Sequence, residues 1–169
     1  MPAEFLISGL MADTGHHYQL LTRTGVETSF NKSLAGEFHT QRKPGSAFRF
    51  TLQADSHLDQ GTRVVLYERT VANALSDQPD FHVDLGDTFM TDKYPQYQDS
   101  LPQYIAQRYY FGRIGSGAAV YLLPGNHNGE RLDQLSSTVD SMSVWSCRTR
   151  QKYFPAIFPD GFYTGNLTP

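Results

Sequence analysis

Cysteine is nearly missing from this sequence: Cys147 stands alone among 169 residues. That excludes an internal disulfide and any zinc site built from thiolates alone. The plain reading of Cys147 is a small packed side chain. No apolar run reaches the roughly 18 residues that a membrane-spanning helix needs. The opening MPAEFLISGLMADTG lacks both the basic flank and the long apolar stretch of a secretion signal, so any export signal is expected upstream of it. Positive charge is sparse as well. The net charge is -3 and no long basic stretch occurs, which argues against non-specific nucleic-acid binding. With 39% hydrophobic and 18% charged residues, the chain is too apolar to be disordered and too polar for a membrane. No internal repeat or low-complexity segment stands out. Histidine gives out early: there are six, and none follows His127.

What is present divides the chain in two. Residues 1–45 hold short strand candidates, EFLISGL, HHYQLLTRT and AGEFHTQR, punctuated by Gly, Asp and Thr. They read as an antiparallel β segment, with RKPGS as a linker. From Ala47 the pattern changes. AFRFTLQA alternates, with Phe48, Phe50 and Leu52 on one face. GTRVVLYERTVANALSD places Val64, Tyr67, Val71 and Leu75 at helical spacing. DFHVDLGD alternates again, with Phe81, Val83 and Leu85 on one side. A second helix is predicted over residues 101–114, with Ser100 as its cap and Pro102 in its first turn. AAVYLLP is an apolar strand, and residues 134–152 form a weaker helical stretch. The aromatic, Pro- and Gly-rich close, YFPAIFPDGFYTGNLTP, reads as an irregular loop. The order β-α-β-α-β predicts a parallel sheet of α/β type.

Each of these three strands runs out into polar residues. Asp55 and His57 follow the first, Gly86 and Asp87 the second, and Gly125, Asn126 and His127 the third. Parallel strands place their C-terminal ends on one edge, where α/β folds bind ligands. The spacings of about 30 and about 40 residues each suit one βαβ unit. Two carboxylates, an imidazole and an amide meeting at one point suit a hard to borderline cation such as Mn, Fe or Zn. Side chains at i and i+2 of an extended segment point the same way, so Asp55 and His57 are expected to grip one ion together. A carboxylate can bridge two ions, and paired ions about 4 Å apart suit displacement at phosphorus.

D-S-H, then G-D, then G-N-H resembles the metallophosphoesterase family, also called calcineurin-like phosphoesterases. The resemblance covers residues 47–169. Residues 1–45 are similar to the end of the fibronectin type III-like domain that precedes the catalytic domain in purple-acid-phosphatase-like relatives. There SGLMADTGHHYQL matches a strand pair and GEFHT the last strand. The block D-S-H departs from purple acid phosphatases proper, which usually have Gly where His57 stands.

The resemblance implies an α/β fold: the N-terminal half of a metallophosphoesterase β-sandwich flanked by helices, after a few antiparallel strands of the fibronectin-like domain. The domains would be residues 1–45 and 46–169. It implies a binuclear-metal-dependent phosphatase or phosphodiesterase holding two divalent or trivalent ions (Fe, Mn or Zn). Asp55 and His57 would bind the first metal, Asp87 would bridge both, and Asn126 would bind the second. His127 would stand near the leaving oxygen as acid or charge stabiliser. The substrate would be a phosphorylated small molecule or nucleotide, and the fibronectin-like neighbour points to a secreted or periplasmic setting. The family pattern continues with another His and then G-H-x-H, which this sequence does not contain. The chain is therefore expected to be a fragment that binds two metals poorly and turns over little. The alternative is a non-catalytic cell-surface or binding protein with a vestigial metal site.

Asp59, Asp84, Asp92 and Asn128 are further candidates for the same place, with Asp84 in a supporting role. His16 and His17 point to opposite strand faces and read as structural, as do His39 and His82. Tyr109, Tyr110 and Phe111 read as packing. Tyr153, Phe154 and Phe162 are candidates for a loop over the site.

Overall fold

The alternation of residues 15–22 and 32–39 builds a hairpin. In the computed structural model, which describes residues 3–59, 61–136 and 138–154, β1 (Gly15–Thr22) pairs antiparallel with β2 (Lys32–His39), with Tyr18 opposite Gly36. His17 lies 3.5 Å from Glu37 and His16 stacks on Phe38, so both histidines serve the hairpin. The third expected strand, EFLISGL, is not one. Residues 3–11 carry no strand, and Phe5, Leu6 and Ile7 are all exposed, Leu6 at 99%. Alternation makes a strand only where a neighbour accepts its backbone hydrogen bonds. The RKPGS segment is tied down: Arg42 Nε donates to Asp80 at 2.8 Å, and Ser46 N–H donates to the Lys43 carbonyl at 3.0 Å. The Tyr18 hydroxyl donates to the Ser116 carbonyl at 2.9 Å and fastens the hairpin to the rest.

The β-α-β-α-β order gives a three-stranded parallel sheet of β3 (Phe50–Gln53), β4 (Phe81–Asp84) and β5 (Ala119–Leu122), in that order. Its register aligns Phe50, Phe81 and Ala119 at one end and Gln53, Asp84 and Leu122 at the other. Between the strands run α1 (Val64–Ser76) and α2 (Leu101–Gly115). Tyr67, Val71 and Ala74 of α1 pack on Tyr110 and Ile114 of α2 to make one core cluster. Phe89, Tyr104, Phe111 and Phe154 make a second, against Trp145 and Tyr153. Phe154 therefore belongs to the core and not to a covering loop; Phe162 and the rest of residues 155–169 lie outside the described residues.

Two local expectations are corrected and one holds. Ser100 does not cap α2; its hydroxyl turns back to donate to the Tyr97 carbonyl at 2.7 Å. Pro102 does sit in the first turn, where its missing N–H costs nothing. The last helix, α3 (Met142–Tyr153), starts later than the spacing predicts. Ser141 Oγ accepts from Val144 N–H at 3.4 Å there, and residues 132–134 form a separate 3₁₀ turn.

The sheet buries the face that reads as polar. His82 and Asp84 are buried, the His82 ring lying 6.3 Å from that of Phe111 on α2. His82 Nδ1 is paired with Thr51 Oγ1 at 2.7 Å. Burial holds His82 below the ordinary histidine range, against the upward pull of Asp84. The apolar face is left open: Phe48, Phe50, Leu52 and Leu85 are exposed, with Phe50 stacked on Phe81 at 5.3 Å.

Candidate functional site

Because the three strands end level, the segments that follow them meet at one rim. Asp55 N–H donates to the Gly86 carbonyl at 3.0 Å, joining the first segment to the second. Gly86 (φ +105°) and Gly125 then pack backbone to backbone. A Cβ on Gly86 would lie 2.4 Å from Gly125 N, and one on Gly125 would lie 2.1 Å from Asp87 N. No side chain fits at either position, so the two glycines set how closely the second and third segments approach. Asp87 Oδ1 accepts the His127 N–H at 2.7 Å and closes the junction.

Asp87 and His127 are thus in direct contact, both half-buried, while Asp55 and Asn126 are exposed at the same rim. His57 is half-buried, its Nδ1 3.2 Å from Asp59 Oδ1. For Asp59, burial pushes the carboxyl up, but the Gly61 N–H and His57 outweigh it and hold the group below the ordinary carboxylate range. Asp55 and His57 do not stand at i and i+2 of an extended segment. The strand ends at Gln53, and Asp55 has φ +55°, in the left-handed region. Asp87 shares that φ of +55°. Aspartate visits this region more easily than most residues, yet two such positions at one rim mark local strain that the surroundings must impose.

The donor set of carboxylates, imidazole and amide oxygen is chemically suited to a divalent or trivalent cation. Among the described residues, no three His, Cys, Asp or Glu side chains are gathered into a group that could hold a metal ion. His57 leans on Asp59, and one Asp87 oxygen is occupied by the His127 backbone.

Several supporting residues were only faintly visible in the sequence. Asp92, from the loop after β4, accepts from His127 Nδ1–H, with oxygens at 2.9 and 3.0 Å, and from Gln134 Nε2 at 3.2 Å. Asn128 is buried, and its Oδ1 accepts the Thr88 N–H at 2.9 Å. Gln107, buried on α2, gave no sequence signal at all, because a glutamine within a helical pattern reads as a solvated position. The loop carrying Asp87 is rooted in the core by Phe89 and Met90, both almost fully buried.

No family model matches the chain, and no curated protein matches it. Among solved structures, the chain is similar to a purple acid phosphatase from yellow lupin (Lupinus luteus) seeds. The TM-score is 0.57 at 16% sequence identity, over 83% of this chain and 26% of that one. The chain therefore spans about a quarter of the length of that phosphatase. The likeness is one of fold: a mixed α/β arrangement with small sheets, consistent with part of a phosphoesterase-like fold.

Proposed function

We propose that the chain forms part of a metal-dependent phosphoric ester hydrolase. The observation that carries this reading is the meeting of the three strand-end segments, through Asp55 N–H to Gly86 and Asp87 to His127 N–H. The fold likeness to a purple acid phosphatase supports it. In this reading residues 46–169 are the N-terminal part of the catalytic domain and residues 1–45 the end of a fibronectin type III-like one. Asp55 and His57 would hold one cation, Asp87 both, and Asn126 the second, the ions being Fe, Mn or Zn. Such ions, when bound, polarise a phosphoryl oxygen and acidify a coordinated water. The substrate would be a phosphorylated small molecule or nucleotide, met outside the cytoplasm.

The chain's own residues supply orientation and a proton path. With Oδ1 held by the His127 N–H, the Asp87 carboxylate is fixed in direction, and Oδ2 is the oxygen it would offer to a cation. His127 is held at Nδ1 by Asp92, so Nε2 is the nitrogen available to exchange a proton with a leaving oxygen. Tyr67, whose hydroxyl burial pushes up to about 12, stays a donor behind the rim, to Gln107 Oε1 at 2.7 Å.

The test is release of nitrophenol from p-nitrophenyl phosphate and from its bis-ester with Mn²⁺ present, comparing the chain with Asp87→Ala and Asn126→Ala. Slow release, lost in both variants, is expected. Equal release from all three would overturn the assignment. A second reading, a binding protein with a vestigial site, is favoured by the ungathered donor side chains. Failure of Mn²⁺ to bind at all would select it.

A further inference from the structure

Behind the rim lies a buried polar pair to which the hydrolase reading gives no task. Asp84 closes β4 with no exposed surface, yet its carboxylate accepts four hydrogen bonds. Oδ2 takes Gln53 Nε2 at 2.9 Å and Ser56 Oγ at 2.7 Å. Oδ1 takes Gly86 N–H at 3.1 Å and Thr88 Oγ1 at 2.5 Å. One oxygen thus serves β3 and the segment after it, and the other serves the segment after β4. Gln107, equally buried, reaches the same two segments from α2. Its Nε2 donates to the Ser56 carbonyl and, at 3.3 Å, to the Thr88 carbonyl.

The residues held are adjacent to the chemistry. Ser56 sits between Asp55 and His57; Gly86 and Thr88 flank Asp87. Stability does not account for this choice of side chains, because a buried carboxylate is costly and apolar packing of the same volume is usually no worse. A carboxylate is needed for another reason. It accepts on both oxygens, whereas an amide in its place would turn an NH₂ group toward either the Gln53 amide or the Gly86 N–H. Asp55 and Asp87 also keep left-handed backbones that the surroundings must over-determine.

We infer that Asp84 and Gln107 are positioning residues, a clamp that sets the Asp55–His57 segment and the Asp87 turn in fixed relation so that their side chains can share a cation. The inference rests on the metal reading of Asp55, His57 and Asp87.

Two measurements test it on the 169-residue chain: Mn²⁺ affinity by calorimetric titration, and amide hydrogen exchange without metal. The variants are Asp84→Asn, Gln107→Met and, as a stability control away from the rim, Val71→Ala. Asp84→Asn and Gln107→Met are expected to weaken Mn²⁺ binding about 10- to 100-fold, the range seen when partners of metal ligands are removed. Both should also speed exchange at Gly86 and Thr88 selectively, while Val71→Ala leaves the affinity unchanged. If Asp84→Asn does not fold, Gln107→Met carries the same comparison. Affinities equal to wild type overturn the inference, and so does a loss that Val71→Ala reproduces. A wild-type chain that takes up no Mn²⁺ sinks the metal reading instead. Exchange at Gly86 and Thr88 then decides the clamp: unchanged rates overturn it, and selective loss of protection supports it.

Discussion

Asp92 holds His127 by one ring nitrogen: Nδ1–H faces both carboxylate oxygens, at 2.9 and 3.0 Å. A carboxylate only accepts, so the contact sets the tautomer as well as the ring's direction. In the hydrolase reading, Asp92→Ala is expected to remove part of the roughly 10²- to 10⁴-fold that a positioned acid or base contributes. In a His127→Ala background the same change should cost little more, because the two act as one unit. Steady-state rates of the two single variants and the double variant check this. Additive losses would show that the residues act separately.

Asp55 sits at φ +55° with its side chain exposed. Asp55→Gly should therefore be at least about 1 kcal/mol more stable than Asp55→Ala, because the left-handed backbone penalises any Cβ. Urea denaturation of the two variants measures the difference. Equal midpoints would show that the backbone at this position relaxes freely.

Asp80 gives the fold a pH dependence. Burial alone would raise its carboxyl, but the Arg49 N–H at 2.9 Å and the Arg42 guanidinium at 2.8 Å outweigh that and hold it below the ordinary carboxylate range. The folded value lies below the unfolded one, so on acidification the unfolded state takes up the proton first. The stabilisation is thus complete at neutral pH and is lost as pH falls through the ordinary carboxylate range toward the lowered folded value. Thermal melts should show Asp80→Asn less stable than wild type near neutrality, with the gap closing as pH falls through and below the ordinary carboxylate range. A gap that persists in acid would assign the effect to packing.

Arg150 of α3 grips Glu130 with two hydrogen bonds, at 2.7 and 2.9 Å, and both side chains are largely buried. The pair anchors α3 to the segment that carries His127. Glu130→Ala leaves the guanidinium without its partner and is expected to cost about 3 kcal/mol. Replacing both residues by leucine should cost less, since no charge then remains buried. Chemical denaturation of the two variants distinguishes the cases.

Much of the framework was legible because it follows from backbone periodicity. The spacing of Tyr67, Val71 and Leu75 located α1, Pro102 marked the first turn of α2, and the β-α-β-α-β order carried the level strand ends with it. Other features depended on partners far along the chain. Phe5, Leu6 and Ile7 alternate like a strand but have no neighbour to pair with. Ser100 has the chemistry of a cap and uses its hydroxyl elsewhere. Phe48, Phe50 and Leu52 share one apolar face, yet the helices settled on the side of Thr51, His82 and Asp84.

By itself the sequence determined where α1, α2 and the three parallel strands lie and that Asp55, His57, Asp87, Asn126 and His127 follow strand ends, because local periodicity and chain order are properties of neighbours in the chain. Only the tertiary structure decided which side chains face one another across that rim. It tied Asp87 to His127, gave His127 to Asp92, and set the buried Asp84 and Gln107 between two segments. Those pairings depend on hydrogen bonds between residues some 20 to 50 positions apart, whose energies are won only after the sheet has brought them into reach.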